Sequence, residues 1–220
     1  LSYLAMDWET YEYVGPEYGN ELISKKAEFV KNIEIGFRTL FDSGDLNINY
    51  FYMDFTNERI LNGAFGPSGL ALRTSVDNSI RTGLEFNYEF YLLKNLKLTN
   101  NSSYNYSLIK QDDVEFTPIL TPKFIVNQEI SYLIKNMTLN LSTRYQSKSY
   151  MNFENSASLN HYLIINGRID YKIKNYSASL FINNITDNFY YNNGLVDPDG
   201  TRRYFVQAAR NMFISIKYTW

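Results

Sequence analysis

Three short turns divide much of this chain into long, paired segments. They all end in Lys-Asn and recur about every 40 residues, at Leu93-Lys94-Asn95, Ile134-Lys135-Asn136 and Ile173-Lys174-Asn175. On both sides of each turn, apolar and polar residues alternate. Alternation has the two-residue period of a β-strand whose faces meet different surroundings. The pattern therefore predicts a meander of antiparallel strands with short turns at one end and long loops at the other.

The alternation predicts nine strands, and a tenth from Leu1 to Trp8. The nine are Asn32–Leu40, Leu46–Phe55, Asn78–Leu92, Leu96–Lys110, Lys123–Ile134, Met137–Tyr150, Tyr162–Ile173, Tyr176–Asn184 and Val206–Trp220. Strands of a soluble β-sandwich usually have about 5–6 residues. A tilted strand that crosses a bilayer needs about 9–11. The lengths favour an all-β, antiparallel transmembrane barrel wall over a soluble β-sandwich binding module.

Four polar segments are predicted as loops: Asn57–Asp77, Gln111–Thr121, Met151–Asn160 and Asp187–Arg203. Membrane barrels carry short turns on the periplasmic side and longer loops outside the cell. We therefore expect the last three loops to lie outside the cell and the Lys-Asn turns to lie in the periplasm.

The final predicted strand alternates up to an aromatic residue. Its apolar positions are Met212, Ile214, Ile216, Tyr218 and Trp220. An aromatic ring at the end of a barrel strand suits the membrane interface, where Tyr and Trp form girdles. The 20 Tyr and 15 Phe residues of the chain fit the same environment. This strand is predicted to close the wall.

Charged residues fall on the strand face opposite the aliphatic ones, so we expect them to face the lumen. They are Glu34, Arg38, Arg81, Glu85, Glu89, Arg144, Arg168 and Asp170. Two interpretations stay open for them: a hydrated wall with compensating charge pairs, or contacts to a plug and a polar path for substrate. The opposite face is expected to meet lipid through Ile80, Leu84, Phe86, Leu139, Leu141, Ile165, Ile169, Ile214 and Ile216.

Aromatic and cationic residues in the loops are candidate ligand contacts. They are Tyr150, Phe153, Tyr190, Tyr191, Arg202 and Arg203. Rings and guanidinium groups can bind an anionic or aromatic ligand. Interfacial anchoring of the rings is the competing interpretation.

Other chemistry finds little support in the sequence. The net charge of −2 gives no nucleic-acid footprint, and the absence of Cys excludes disulfides and thiolate metal sites. His161, the only His, is expected to be structural or solvated, and Ser156 and Ser158 lie near it only as expected in a polar loop. Asp197-Pro198-Asp199-Gly200 has too few ligands for calcium and is predicted as a turn. No catalytic residue, metal site or cofactor is predicted.

Five short motifs occur in order along the chain. They are Ile33-Glu34-Ile35-Gly36-Phe37-Arg38, Asn78-Ser79-Ile80-Arg81-Thr82-Gly83-Leu84-Glu85, Thr121-Pro122-Lys123, Asn184-Ile185-Thr186-Asp187-Asn188-Phe189-Tyr190 and Ala209-Arg210. Together they resemble the C-terminal part of TonB-dependent outer-membrane receptors over roughly residues 32–220. Ala209 stands where the family usually has Gly.

The resemblance implies a 22-stranded, plugged barrel. Residues 1–220 would then be its C-terminal portion, with the plug and the N-terminal strands absent from this chain. The family imports a scarce nutrient (siderophore-iron, haem, cobalamin or a glycan), is energised through TonB, and is not enzymatic. Its implied partners are outer-membrane lipid, the remainder of the receptor, TonB through the plug, and the barrel-assembly machinery through the closing strand. The alternative is a self-contained barrel of about ten strands that acts as a pore, adhesin or surface hydrolase.

Overall fold

The computed structural model describes residues 27–65, 71–111, 113–197 and 199–220. The strand predicted at Leu1–Trp8 lies outside these residues. The described residues contain strands and no helix. The strands are β1 (Phe29–Phe41), β2 (Gly44–Phe65), β3 (Ala71–Leu93), β4 (Leu96–Gln111), β5 (Val114–Phe116), β6 (Phe124–Ile134), β7 (Met137–Gln146), β8 (Ser149–Tyr150), β9 (Ser158–Leu159), β10 (Tyr162–Ile173), β11 (Tyr176–Asn183), β12 (Tyr191–Val196), β13 (Arg202–Val206) and β14 (Asn211–Tyr218).

Nine of these strands form one antiparallel wall, and they correspond to the nine predicted strands. The order is β1-β2-β3-β4-β6-β7-β10-β11-β14, and β5 pairs with β4 beside it. Within the described residues β1 and β14 are the two edges and do not pair with each other, so the barrel is not closed. The all-β, antiparallel wall is confirmed.

Two-residue turns join the strands at one end of the wall, which we call the turn end. Lys94-Asn95, Lys135-Asn136 and Lys174-Asn175 separate consecutive strands, as predicted. Lys135 and Lys174 adopt left-handed backbone angles, with φ of 52° and 47°. Positive φ suits two-residue hairpin turns because their twist matches that of the flanking strands. The opposite end, where the longer connections lie, is called the loop end.

The pairing register separates the two predicted sets of side chains. One row runs across six strands through Arg38, Asn47, Asn87, Asn101, Asn127 and Arg144. Successive side chains of a strand alternate between faces, so this row and the strand positions two apart from it define a polar face. All eight residues predicted to face the lumen lie on this polar face. All nine residues predicted to meet lipid lie on the other, apolar face. That the polar face lines the lumen and the apolar face meets lipid stays a prediction.

The prediction of a loop at Asn57–Asp77 is wrong for most of that segment, which is paired β-structure instead. β2 continues to Phe65 and β3 begins at Ala71, with pairs from Glu58↔Val76 to Leu61↔Arg73. Asn57 interrupts the alternation because its backbone is left-handed, with φ of 56°. Turn-forming residues near the tip of a long hairpin, together with this interruption, gave the segment the sequence character of a loop.

Shorter corrections apply to the other connections. The strand predicted to reach Tyr150 ends at Gln146. Its predicted last two residues form β8 instead, which pairs with β9 inside the predicted Met151–Asn160 loop. The predicted Gln111–Thr121 loop contains β5, and the predicted Asp187–Arg203 loop contains β12 and the start of β13. The closing strand is also shorter than predicted, because β14 ends at Tyr218 and leaves Trp220 beyond it, 98% exposed.

Two small hydrophobic clusters stabilise the loop end. In the first, Ile60, Val76, Ile109 and Phe116 are buried and Phe153 packs against them. In the second, Met151, Ala157 and Leu159 are buried, with partly buried neighbours Leu120, Tyr191 and Val196. Each cluster joins segments that are far apart in sequence. The connections at this end are therefore packed against one another, which positions the site described next.

Candidate ligand cavity at the loop end

A cavity of about 630 Å³ opens where β6, β7, β10, β11 and β14 meet the connections at the loop end. This volume lies within the usual range for small-molecule sites, about 300–1,000 Å³. Among the described residues, the lining contains one cation, six amide side chains, two tyrosines and no carboxylate: Leu120, Pro122, Ile125, Arg144, Gln146, Tyr162, Ile164, Asn166, Asn183, Asn184, Tyr190, Asn192, Ala208 and Asn211.

Arg144 is the only charged residue of the lining among the residues that the structure describes, and neutral amides orient it. Its Nη1 donates to Asn127 Oδ1 (3.0 Å) and its Nη2 to Gln146 Oε1 (3.4 Å). The hydroxyl of Tyr162 donates to the same Gln146 oxygen (2.9 Å). No carboxylate in the described part of the chain pairs with Arg144. Guanidinium carries five N–H donors, so donors remain for a further acceptor.

Arg144 ends a line of amide hydrogen bonds across the polar face. Asn101 Nδ2 donates to Asn87 Oδ1, and Asn127 Nδ2 donates to the backbone carbonyl oxygen of Asn101 (3.2 Å). These side chains come from consecutive wall strands in one register row. Side chains held by strands and by mutual hydrogen bonds are positioned more rigidly than side chains on loops. The guanidinium is therefore presented from a fixed support.

Two tyrosines form one side of the cavity. The ring of Tyr162, at the start of β10, lies 4.7 Å (centroid to centroid) from the ring of Tyr190, which lies just before β12. Burial raises the pKa of Tyr190 above its usual value of 10.0, and the neighbouring Tyr162 adds to this. The Tyr190 hydroxyl is neutral near pH 7, as an unperturbed Tyr also is, and can both donate and accept hydrogen bonds.

Asn184 fixes the connection that carries Tyr190. It follows β11 with φ of 51° and is 3% exposed. Its Nδ2 donates to the carbonyl oxygens of Asn188 (2.9 Å) and Ala208 (3.3 Å), and its Oδ1 accepts from the amide of Asn188 (3.0 Å). Left-handed backbone is tolerated by Asn more readily than by most residues. The predicted strand end at Asn184 is confirmed to within one residue, because β11 ends at Asn183.

The Asn184-to-Tyr190 motif and the Ala209-Arg210 motif meet in space. The amide of Arg210 donates to Asp187 Oδ1 (2.8 Å), and Arg210 Nη1 donates to the carbonyl oxygen of Ile185 (3.4 Å). Together with the bond from Asn184 to Ala208, these contacts tie the end of β11 to the start of β14. The two motifs therefore form one joint at the rim of the cavity.

Several polar groups of the lining have no partner in the parts of the chain that the structure describes. Gln146 Nε2, Asn166 Nδ2 and the side chain of Asn192 donate no hydrogen bond there, while Asn166 Oδ1 accepts from the amide of Asn184 (2.9 Å). With the remaining N–H groups of Arg144, these amides give the lining several donors that are free to bond a ligand. Such a surface can hold an oxygen-rich ligand.

The six loop candidates separate into one cavity residue and five others. Tyr190 lines the cavity. Phe153 packs on Phe116 at 4.1 Å between ring centroids, and Tyr191 lies against the second cluster. Tyr150 stacks beneath the Lys148 ammonium at 4.7 Å. The structure thus gives these three rings local packing roles, and their contact with ligand stays a prediction.

The two loop arginines are engaged with their own hairpin and its neighbour. Arg203 pairs with Asp197 across the β12–β13 hairpin, and Arg202 Nη2 donates to the carbonyl oxygen of Ser156 (3.3 Å). A close approach at Gly194 fixes the hairpin further, because a Cβ there would lie 2.5 Å from Met151 Sδ. The hairpin therefore docks on the 151–159 segment, and neither arginine is among the residues that line the cavity.

Most charged residues of the polar face have compensating partners. Ion pairs join Arg38 to Asp45, Arg81 to Glu58, Lys97 to Glu89 and Arg168 to Asp170. Glu34 and Glu85 accept from Asn32 (2.7 Å) and Asn49 (3.3 Å). Arg144 alone of the eight candidates lines the cavity. The strand alternation placed Arg144, Gln146 and Asn166 on the polar face, but no sequence signal showed that the connections would enclose them.

Features linked to other chemistry were also located. His161 lies beside the ring of Tyr145, at 6.3 Å between centroids, and makes no hydrogen bond to a serine or carboxylate among the described residues. Gly200 donates to the Asp197 carbonyl oxygen (2.9 Å), which is the predicted turn. Within residues 27–65, 71–111, 113–197 and 199–220, no group of three or more His, Asp or Glu could hold a metal ion. The same residues include no helix that could span a membrane.

An open antiparallel wall with a polar and an apolar face, long strands and a donor-rich cavity at its loop end is the class of structure found in outer-membrane receptor barrels. The family model "TonB dependent receptor-like, beta-barrel" matches residues 5–185. The chain therefore belongs to the TonB-dependent receptor family, whose members are outer-membrane transport receptors of Gram-negative bacteria. No curated protein matches its sequence significantly.

Solved structures with similar folds are uptake receptors. The ferric yersiniabactin receptor FyuA from Yersinia pestis superposes with a TM-score of 0.73 at 14% identity, over 87% of this chain and 30% of that one. The ferric citrate transporter FecA gives 0.73 at 17% identity, over 86% and 31%. The siderophore receptor PirA from Acinetobacter baumannii gives 0.66 at 16%, over 88% and 32%. The chain thus spans about a third of the length of these proteins.

Proposed function

We propose that the chain forms the C-terminal part of the wall of an outer-membrane receptor that imports a scarce nutrient with energy supplied through TonB. The observation that carries this proposal is the polar face, whose hydrogen-bonded row ends at the Arg144 cavity among the loops. A receptor of this kind needs a rigid wall, a polar interior and a ligand site near its outer rim. Its plug and N-terminal strands would complete the barrel.

Among the nutrients that the family imports, we propose a ferric chelate over haem, cobalamin or a glycan. Similar folds carry ferric yersiniabactin and ferric citrate, and this supports the choice without deciding it, because identity is only 14–17%. The cavity supplies donors and one cation, which match the anionic oxygen atoms of an iron chelator.

The proposed partners follow from the edges and faces of the wall. The apolar face would contact outer-membrane lipid. Its side chains are exposed in this structure; Leu84, Leu141 and Ile214, for example, are 48%, 44% and 70% exposed. Within the described residues, the outer edges of β1 and β14 have unpaired backbone groups, and each such group costs several kcal/mol in lipid. They would pair with the N-terminal strands of the same receptor, and the assembly machinery would engage β14 through Met212 to Tyr218.

Growth under iron limitation tests the proposal. A strain lacking the receptor gene should grow poorly with the appropriate ferric siderophore as its only iron source and should not accumulate radioactive iron from it. The complete gene should restore both, but not in cells that lack TonB. Equal iron accumulation with and without the receptor, across anionic, neutral and cationic ferric siderophores, would refute the proposed function.

A further inference from the structure

We infer that the cavity selects its ligand by negative charge: it accepts an anionic, oxygen-rich metal chelate, and Arg144 contacts a carboxylate or catecholate oxygen of that chelate. This inference rests on the proposed import function. It adds a residue that discriminates among ligands and a direction of discrimination, for which the family assignment alone gives no basis.

Arg144 differs in its partners from the other predicted lumen-facing arginines. The other three arginines among the eight predicted lumen-facing residues pair with carboxylates: Arg38 with Asp45, Arg81 with Glu58 and Arg168 with Asp170. Arg144 is held by two neutral amide oxygens instead. Neutral acceptors orient a guanidinium without cancelling its charge. Its positive potential is therefore available to a ligand, unlike that of its neighbours.

The nearest acidic side chains decide whether a negative ligand would be repelled in the cavity. By register, Glu129 of β6 lies one row nearer the turn end than Asn127, the partner of Arg144. Glu129 accepts a hydrogen bond from Ser131 (3.2 Å) and forms no ion pair with any described residue. Of the carboxylates that the structure describes, neither Glu129 nor any other lines the cavity. A negative ligand would therefore meet no acidic group at the cavity surface.

The cavity lining presents hydrogen-bond donors that a ligand can pair with. Unpaired donors of Gln146, Asn166 and Arg144 surround the space, while Asn183 and Asn211 bond to each other (2.9 Å). Buried or half-buried donors that a ligand leaves unpaired weaken binding. A ligand rich in carboxylate, catecholate or hydroxyl oxygen satisfies them. A cationic chelate would add charge repulsion from Arg144 without replacing these bonds.

The cavity has an aromatic side, which bears on the kind of ligand that can fill it. Tyr162 and Tyr190 form an aromatic side with rings 4.7 Å apart, next to Ile164 and Pro122. This surface can contact the flat or aliphatic parts of a chelator, while Arg144 meets its charged oxygen. An organic chelate combines both features, whereas a bare inorganic anion would leave the aromatic side uncovered. The inference therefore concerns a chelate rather than a free anion.

The test measures binding to the complete receptor in detergent micelles. Three probes of similar size are titrated: an anionic ferric tris-catecholate, a neutral ferric hydroxamate and a cationic ferric hydroxamate. We expect the anionic probe to bind at least tenfold more tightly than the other two. Arg144→Gln should weaken the anionic probe roughly 10- to 100-fold, the factor for losing charge-assisted hydrogen bonds. The neutral probe should change less than threefold.

Two further variants separate recognition from structure. Arg144→Lys keeps the charge but loses the planar donor fork, so its affinity for the anionic probe should fall between those of the wild type and Arg144→Gln. Lys97→Gln removes a cation from the same face at the turn end, where Lys97 pairs with Glu89 (3.2 Å). It should leave the preference among probes unchanged. Heat-modifiable gel migration establishes that each variant is folded.

The possible results divide cleanly. Wild-type preference for the neutral or cationic probe overturns the inference, and so does an equal loss for all probes in Arg144→Gln. A receptor that imports iron while its affinities ignore Arg144 overturns the inference and leaves the proposed function in place. A receptor that binds none of the ferric probes and imports no iron overturns both.

Discussion

Glu58 is expected to hold the long β2–β3 hairpin upright above the wall. It is 7% exposed and accepts hydrogen bonds from Ser79 and Arg81 at the base of the extension. Asn57, with its left-handed backbone, precedes it. Replacing Glu58 with Gln removes the carboxylate and leaves the Arg81 guanidinium without its counter-charge in a partly buried place.

The expected magnitude follows from burial. Removing one partner of a buried ion pair costs about 3–5 kcal/mol. Arg81 keeps 23% of its side chain exposed, so solvent screening reduces the cost, and we expect about 2 kcal/mol of local destabilisation. Since about 1.4 kcal/mol is a factor of ten, amide exchange in the extension should speed up about 30-fold. The Ile60–Val76 cluster should loosen with it.

Hydrogen–deuterium exchange of the complete receptor measures this effect in peptides that cover residues 58–61 and 73–76. Glu115→Gln is the matched control, because its pair with Lys110 (2.8 Å) is exposed and should matter little. If the two variants exchange alike in the extension, the Glu58 contacts do not hold the hairpin and the reasoning fails.

The remaining predictions concern the faces, the loop packing, the topology and the completeness of the wall. Leu141→Arg should cost about 2–4 kcal/mol in folding into vesicles if Leu141 lies near the bilayer midplane, whereas Ser142→Arg on the polar face should cost far less, and equal costs would contradict the face assignment. Gly194→Ala should make the 191–206 hairpin protease-sensitive, because a Cβ would lie 2.8 Å from the Arg203 carbonyl oxygen; Asn193→Ala should not, and an unchanged digest of both would count against the docking. Protease added to intact cells should cut in segments 111–121, 151–160 or 187–203 and spare the Lys-Asn turns. Cleavage at the turns with the long segments spared would mean that the predicted orientation in the membrane is reversed. Residues 1–220 refolded alone in micelles should aggregate rather than give a heat-modifiable, conducting barrel, and such a barrel would favour the self-contained alternative.

The strands of the wall were predictable from sequence because each repeats one simple pattern. In β10, for example, Leu163, Ile165 and Ile169 alternate with Asn166 and Arg168, and a strand paired on both sides keeps that phase. The pairing order also followed, since two-residue turns at Lys94, Lys135 and Lys174 force consecutive strands to be neighbours. Local rules sufficed because the interactions are local.

The loop end was not predictable for the opposite reason. Ile60, Ile109 and Phe153 come from three separate segments, and nothing in the sequence near any one of them indicates the other two. The extension past Asn57 was hidden because one left-handed residue breaks the alternation on which strand prediction depends. Packing between connections is non-local, so composition marked these segments only as polar and turn-rich.

The cavity combines both kinds of information, and this divides the roles of its residues. Arg144, Gln146 and Asn166 stand on wall strands and are held in register by Asn127 and the β7–β10 pairing. Tyr190 stands on a connection whose position depends on Asn184 and Arg210. The charge of the site is therefore fixed by the rigid wall, while the connection sets its size and its aromatic side. Substitutions in the connection should alter which anionic chelate fits, whereas a change of charge preference requires a change at Arg144 itself.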